Sequence, residues 1–416
     1  MDDLFYLIWR NSYIRRLIRN IKCRDSVIHV TNQYLLDNHQ YLSFTKQDKV
    51  DYNISIRSDI YFQDYLNNQH KYIINELNLQ RDEDLLPEME FDFNQIHDGV
   101  TKLTMSIKEG QTGAGQLPNS LTYLWINIYG RRESRAISMI VNHVLSNISS
   151  NLKTLVLPDV YLDSGNYTIP DSLTDLSYGS KYDNLQRLVV SPNKVFQNCI
   201  LDVDTIESVQ WLEENKWINN IVIDSRVAFT ENTCIPSHVS KIRVKGGGNI
   251  QNCVLPTMLE SLTCFYGTPF SHFEHLKSLF LYSYPVMLEK GVLPLTLQEL
   301  NLSYDQPLDV DVLPPQLTTL GMYEFNQPLF IGVLPPHLTT LGMYGFNQLL
   351  FPGVLPNSIT ELYLLSFNQP LSSDVLPNML KVLTMDGFKQ PTIPPLPTSL
   401  LKLSLRNFKG TSNVTS

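Results

Sequence analysis

From Val312 to Gly332 the chain reads VLPPQLTTLGMYEFNQPLFIG, and from Val333 to Gly353 it reads VLPPHLTTLGMYGFNQLLFPG. Two near-identical 21-residue segments in tandem exclude most folds, because each copy must meet the same surroundings one step along. The step extends beyond this pair. Leu-Pro dipeptides begin at Leu293, Leu313, Leu334, Leu355, Leu376 and Leu396, spaced by 20 or 21 residues, and each opens the pattern L-x-x-L-x-L or a close variant. Triads such as Leu317/Leu320/Met322, Leu338/Leu341/Met343 and Ile359/Leu362/Leu364 end in an in-out alternation, which is the period of a strand. The other half of each unit, FNQPLFIGVLPP, must turn the chain back. Pro328, Pro335 and Pro336 exclude a helix there, because proline removes the amide that a helix interior needs. Phe325, Phe346 and Phe367 recur as core fillers.

A period of 20 to 29 residues with L-x-x-L-x-L marks a leucine-rich solenoid, in which each coil lays a short strand beside the next. The fold expected is an α/β repeat solenoid: a leucine-rich-repeat-like arc with a parallel β-sheet on the concave face, a mostly irregular convex side and a short helical N-terminal cap. Asn326, Asn347 and Asn368 stand at one fixed place just after the strand. They are read as a structural asparagine ladder, their amides satisfying backbone groups left open at each bend. A row of ligand contacts is the alternative.

The run V-L-P-x-x-L-T-x-L with FNQPL, at Val312–Leu329, Val333–Leu350 and Val354–Leu371, resembles the FNIP repeat, a leucine-rich-repeat variant. The resemblance covers Leu293 to Phe408. It departs at YDQP (Tyr304–Pro307) and where Lys389 and Lys409 replace the Asn, so the ladder bond is expected to fail at those end rungs.

Degenerate rungs continue upstream, among them Leu276/Leu279/Leu281, Leu259/Leu262/Cys264, Leu185/Leu188/Val190, Leu173/Leu176/Tyr178 and Ile74/Leu77/Leu79, so the solenoid is expected from about Asp51. Two pairs lie too close for a full coil, Leu173 with Leu185 and Leu259 with Leu276, and one rung of each pair is expected to be false. Two long steps carry helical spacing. In ESRAISMIVNHVLSNI the apolar residues are Ile137, Ile140, Val141, Val144, Leu145 and Ile148; in DTIESVQWLEENKW, Asp204 is placed to cap the start.

The organisation expected is residues 1–45 as a helical cap or docking segment, residues 46–410 as solenoid with regular repeats over 293–408, and a tail at 411–416. In the first segment Leu4, Leu7, Ile14, Leu17, Ile18 and Ile21 fall on one helical face, with Arg15, Arg16, Arg19 and Lys22 mostly opposite. A cap over the first rung would bury the apolar face; a docking helix, as in the F-box segment that the resemblance implies for some relatives, would present it to a partner.

Catalytic chemistry finds little support. His272, Glu274 and His275 cluster without a further ligand at metal spacing. The KGGGN run at Lys245–Asn249 lacks the Gly-Lys-Ser/Thr end of a phosphate loop. No catalytic, cofactor or metal residue is assigned, and the protein is expected not to be an enzyme. The net charge of −9 argues against a nucleic-acid partner. Five scattered cysteines fit a reducing compartment, and no run approaches the length of a membrane span, so a cytoplasmic protein is expected.

Binding is expected where the strand residues alternate outward on the concave face: Phe280, Tyr282, Tyr323, Tyr344, Tyr363, Glu361, Asp386 and Arg406. Tyrosine gives large contact area at low entropic cost, which suits a protein or peptide partner, although it is also a good strand former. Lys241, Arg243 and Lys245 form a second, basic set on one rung. The function expected is a non-enzymatic protein–protein interaction scaffold. The alternative is a substrate adaptor that joins a target to an enzyme complex such as a ubiquitin ligase through the N-terminal helix.

Overall fold

The computed structural model describes residues 11–81, 90–129, 138–227, 229, 233–246, 250, 253–265, 270–372, 374–408 and 411–412. The chain forms two compact units, residues 1–201 and 202–416. Both are stacks of coils, each coil adding one parallel strand to a sheet, so the fold is the α/β leucine-rich-repeat-like solenoid with a short N-terminal helix.

In the first unit the elements are α1 (Ser12–Lys22), β1 (Val27–Val30), α2 (Asn32–Asn38), α3 (Lys46–Asp51), β2 (Ser55–Ile60), α4 (Phe62–Asn67), β3 (Glu76–Leu79), β4 (Lys102–Lys108), β5 (Tyr123–Tyr129), α5 (Met139–Ser146), β6 (Thr154–Val156) and β7 (Asp175–Lys181). Strands β1 to β7 pair in sequence order, all parallel. Leu77, Leu103, Leu124, Leu155 and Leu176 align in one buried file across them. The sheet begins at Val27, upstream of the boundary expected near residue 46, because β1 pairs with β2. α5 is capped by Ser138, whose hydroxyl accepts from Val141 N; Ile137 and the residues before it in that stretch lie outside the described residues.

One expected rung is false. Tyr182–Leu185 is a helical turn, and Leu188–Val189 pairs with Tyr167–Thr168 in a separate two-stranded ladder. Among the strands that sequence reading missed is β8 (Cys199–Val203), which inserts Cys199, Leu201 and Val203 into the core without a Leu-Pro opening. A buried cysteine replaces the usual leucine, and free cysteine packs as a small hydrophobe.

The second unit continues with α6 (Ile206–Glu214), β9 (Asn220–Ile223), β10 (Lys241–Val244), β11 (Ser261–Cys264), β12 (Ser278–Leu281), β13 (Glu299–Leu302), β14 (Thr319–Met322), β15 (Thr340–Met343), β16 (Glu361–Tyr363), β17 (Val382–Thr384) and β18 (Lys402–Ser404). Strands β9 to β18 pair in order and in parallel. Both rungs of the close pair exist, Leu262 opposite Leu279, so the short step between them still closes a coil. The N-cap of α6 is Thr205, which accepts from Ser208 N at 3.3 Å, and not Asp204.

Three features lock the regular coils. Phe325, Phe346, Phe367 and Phe388 are fully buried and stack in parallel at centroid distances of 6.2, 6.3 and 6.3 Å, with Tyr304 extending the row. Beside this row, Asn326 Oδ1 accepts from Asn347 N at 2.9 Å, and Asn347 Oδ1 accepts from Asn368 N at 2.8 Å. Gln348, Gln369 and Gln390 donate to the carbonyls of the same asparagines. At the ends, where failure was expected, Asp305 Oδ1 accepts from Asn326 N at 2.8 Å and Lys389 N donates to Asn368 Oδ1 at 2.8 Å. The expectation fails because a carboxylate accepts as well as an amide, and the last rung needs only its backbone N–H; Lys409 lies outside the described residues. Thirdly, the return turn needs a left-handed residue, supplied by Gly332 (φ 87°) and Gly353 (φ 81°), and by Asp311 (φ 65°) where glycine is absent.

The N-terminal helix sits against the first coil, but by a face other than the one expected. α1 docks through its polar face: Arg16 reaches the Asp48 carboxylate at 2.8 Å, Asn20 at 2.7 Å, and Asp48 also closes a capping box with Thr45. Ile18 and Ile21 are 40% and 51% exposed. A buried, uncompensated carboxylate on α3 attracts the arginine side more strongly than the first rung attracts the isoleucines. Leu4 and Leu7 lie outside the described residues.

Candidate partner-binding face

The strand register of the second unit sorts its outward residues into files. One carries Glu299, Thr319, Thr340 and Glu361; the next carries Phe280, Asn301, Gly321, Gly342 and Tyr363. A third, just past the strand ends, carries Tyr282, Tyr323 and Tyr344, whose amides still bond to the preceding strand. Alternation places these side chains away from the leucine file.

The rings of these files touch. Tyr323 and Tyr344 lie 5.0 Å apart at 25°, Phe280 and Tyr323 5.8 Å, and Phe280 and Tyr282 5.0 Å. Phe265, which sequence reading missed, joins them 4.9 Å from Tyr282; it stands directly after Cys264, at the place equivalent to Tyr282. Small neighbours make this contact possible. A Cβ on Gly342 would lie 3.1 Å from the Tyr344 ring, and one on Gly321 only 2.2 Å from Asn301 Oδ1, so both side chains fold flat over bare backbone. Tyr282 and Tyr323 remain 42% and 41% exposed. Burial, with the negative charge of Glu299 near Tyr323 and the hydrogen bond to Glu361 at Tyr363, raises both phenols above their ordinary range.

Not all expected site residues join this patch. Tyr363 is bound to its own strand, its hydroxyl donating to Glu361 at 2.9 Å. Asp386 and Arg406 pair with each other at 3.3 Å. Of the basic set, Lys245 pairs with Asp202 at 3.3 Å.

Two other surfaces went unread. In the first unit Trp125 is 44% exposed on the outward file of β5, between Thr104 and Val156, and nearby Tyr129 is covered by Arg81 at 4.6 Å. Its signal was available, as an aromatic at an outward position of LTYLWINIY. On the return turns, Val310, Phe330, Ile331, Leu349 and Phe351 are exposed on neighbouring coils.

Among the described residues no group of three or more His, Cys, Asp or Glu is placed to hold a metal ion. His272 lies against Phe273, 4.0 Å between centroids. Gly247, Gly248 and Asn249 of the KGGGN run lie outside the described residues. All five cysteines are free, and burial pushes the Cys253 and Cys264 thiols up to about 11 and about 12. Among the described residues no helix is long and apolar enough to cross a membrane.

Comparison with known proteins places FNIP repeats at residues 304–344 and 346–387. No curated protein matches the chain. Among solved structures the chain is similar to CroV588, a circular LRR protein (22% identity, TM-score 0.44, 87% of this chain and 54% of that one). It is also similar to YopM from Yersinia enterocolitica WA-314 (15%, TM-score 0.34, 86% and 81%) and to TLR13 in its complex with ssRNA13 (13%, TM-score 0.41, 85% and 70%). The chain thus spans about half the length of CroV588.

Proposed function

We propose that the protein is a non-enzymatic interaction scaffold that holds a protein or peptide partner on the outward face of the second unit's sheet, the face expected to be concave. The observation that carries this reading is the contiguous patch of Phe265, Phe280, Tyr282, Tyr323 and Tyr344, half-open to solvent. Aromatic groups that stay exposed on a rigid strand frame form binding hot spots, because little ordering entropy is lost on contact. The neighbouring Tyr363, Glu361, Asp386 and Arg406 form its rim. Five free cysteines fit a reducing, cytoplasmic setting. The test is the double variant Tyr323→Ala/Tyr344→Ala. Loss of the partner captured by the intact chain, with an unchanged circular-dichroism melt, is expected; full retention by a folded double variant refutes the site.

A second reading has its own observation. Because α1 docks by its polar face, Ile18 and Ile21 stay open to a partner, as an adaptor that recruits an enzyme complex such as a ubiquitin ligase requires. Deleting residues 1–45 would remove β1 along with the helix, so the appropriate change is Ile18→Ser/Ile21→Ser. Loss of co-purifying ligase subunits in that variant supports this reading, and their retention opposes it.

A further inference from the structure

Glu299 and Glu361 stand in the same file of the sheet, separated by Thr319 and Thr340. Three strand spacings put their backbones about 14 Å apart. Among the described residues both carboxylates are met only by neutral donors: Ser278 Oγ and Asn301 Nδ2 at 3.0 Å for Glu299, and Tyr363 Oη at 2.9 Å for Glu361. Other acids of this unit hold cations of the chain itself, Asp202 with Lys245, Glu260 with Lys277 and Asp386 with Arg406.

The rings differ from those elsewhere in the same way. In the first unit Tyr129 has Arg81 and Lys108 over its face, and Tyr65 has Lys71. Among the described residues no lysine or arginine covers Phe280, Tyr282, Tyr323, Tyr344 or Tyr363. Aromatic faces beside carboxylates that lack a cation form a receptor for one, through the ring quadrupole and the ion pair together.

Spacing narrows the shape of the ligand. In an extended peptide, side chains four residues apart point the same way and stand about 13 Å apart. That matches the separation of the two glutamates. Between them Asn301 and Tyr344 lie flat over Gly321 and Gly342, so the face stays shallow and offers the Tyr344 ring, with Tyr323 stacked beside it. We propose that the segment bound on this face is an extended basic peptide carrying arginine or lysine at positions four apart, one on Glu299 and one on Glu361, lying against the Tyr323/Tyr344 rings. This rests on the reading of the face as the partner site and adds the partner's chemistry.

The test uses the full chain and three fluorescein-labelled nonapeptides of Gly and Ser, with arginine, glutamine or glutamate at positions 3 and 7, in anisotropy titrations at fixed low salt. The arginine peptide is expected to bind and the other two not. Glu299→Gln/Glu361→Gln is expected to weaken it roughly fivefold or more. Glu213→Gln/Glu214→Gln, which changes net charge equally on the exposed side of α6, is expected to leave it unchanged. Equal binding of the glutamine peptide overturns the inference. So does an arginine-peptide affinity that the Glu299/Glu361 change leaves unmoved, or one that falls as far in the control. Failure of the underlying reading looks different: the captured native partner would then survive Tyr323→Ala/Tyr344→Ala.

Discussion

Replacing Asn347 by alanine removes one acceptor from the middle of the ladder. Its Oδ1 takes the Asn368 N–H at 2.8 Å and lies 3.3 Å from Gln369 Nε2. A lost hydrogen bond costs about 0.5–1.5 kcal/mol net, and a donor stranded out of water about 1–3 kcal/mol. Asn368 is half-buried, so water recovers part of that loss, and Gln369 keeps its bond to the Asn347 carbonyl at 3.0 Å. The expected destabilisation is therefore about 1–2 kcal/mol. Asn347→Asp preserves the acceptor, and the chain already uses a carboxylate at this place in Asp305, so a change under about 0.5 kcal/mol is expected. Urea midpoints at a common slope compare the three chains. Amide exchange at Asn368 localises the effect, with a rate rise of roughly 5- to 30-fold in the alanine variant alone. An alanine variant with the parental midpoint, or an aspartate variant as weak as alanine, refutes the role of the side-chain acceptor.

Phe346→Ala, which opens a void between Phe325 and Phe367, is expected to cost about 3–5 kcal/mol; calorimetry finding under 1 kcal/mol would show that the row is not close-packed. Gly332→Ala forces a Cβ into a left-handed turn and is expected to cost about 1 kcal/mol in thermal melts, whereas Asp311→Gly at the equivalent turn should not destabilise. Burial opposes ionisation of Asp48, but hydrogen bonds from Arg16, Thr45 and Asn20 outweigh it and hold the carboxyl well below its usual range. Asp48→Ala should release α1 and speed tryptic cleavage after Arg16 and Arg19; unchanged cleavage would refute that tether. Burial, aided by Lys49, lowers His97 to about 4 from 6.5. Between those values the unfolded chain takes up a proton that the folded chain refuses, so stability should fall as pH drops from about 6.5 and level off near 4. His97→Gln should flatten this part of the urea-midpoint profile, and a parental slope in that variant would refute the assignment.

The regular coils were legible because one residue type per position carries one physical job. Leucine at the file positions, phenylalanine in the row and asparagine at the bend each repeat at the coil step. The outward positions followed from alternation alone, which is why Tyr323 and Tyr344 could be named as neighbours. Legibility ended where a position was filled by chemistry of a different name. β8 opens with Cys199 in place of leucine, and Asp305 serves the ladder as a carboxylate. It ended also where the partner is distant in sequence. Nothing local to SYIRRLIRNIK says that Asp48 will draw in Arg16 and Asn20 and turn the isoleucines outward. Pairings such as Asp386 with Arg406, which take two expected contact residues out of the open patch, are equally invisible before the coils are stacked.

The ladder is one-directional: each coil offers an acceptor to the coil that follows and a donor to the coil that precedes it. A coil inserted by tandem copying therefore arrives with both halves of its joints already made, and neither neighbour has to change. The segments Val312–Gly332 and Val333–Gly353 have the form of such a copy. Stack length in this part of the chain is then a heritable quantity that moves in whole steps of about 4.8 Å, one strand at a time. Each duplication also brings its own outward tyrosine. A lineage can thus lengthen its outward aromatic file like a ruler gaining a division, while the chemistry of every existing contact stays as it was.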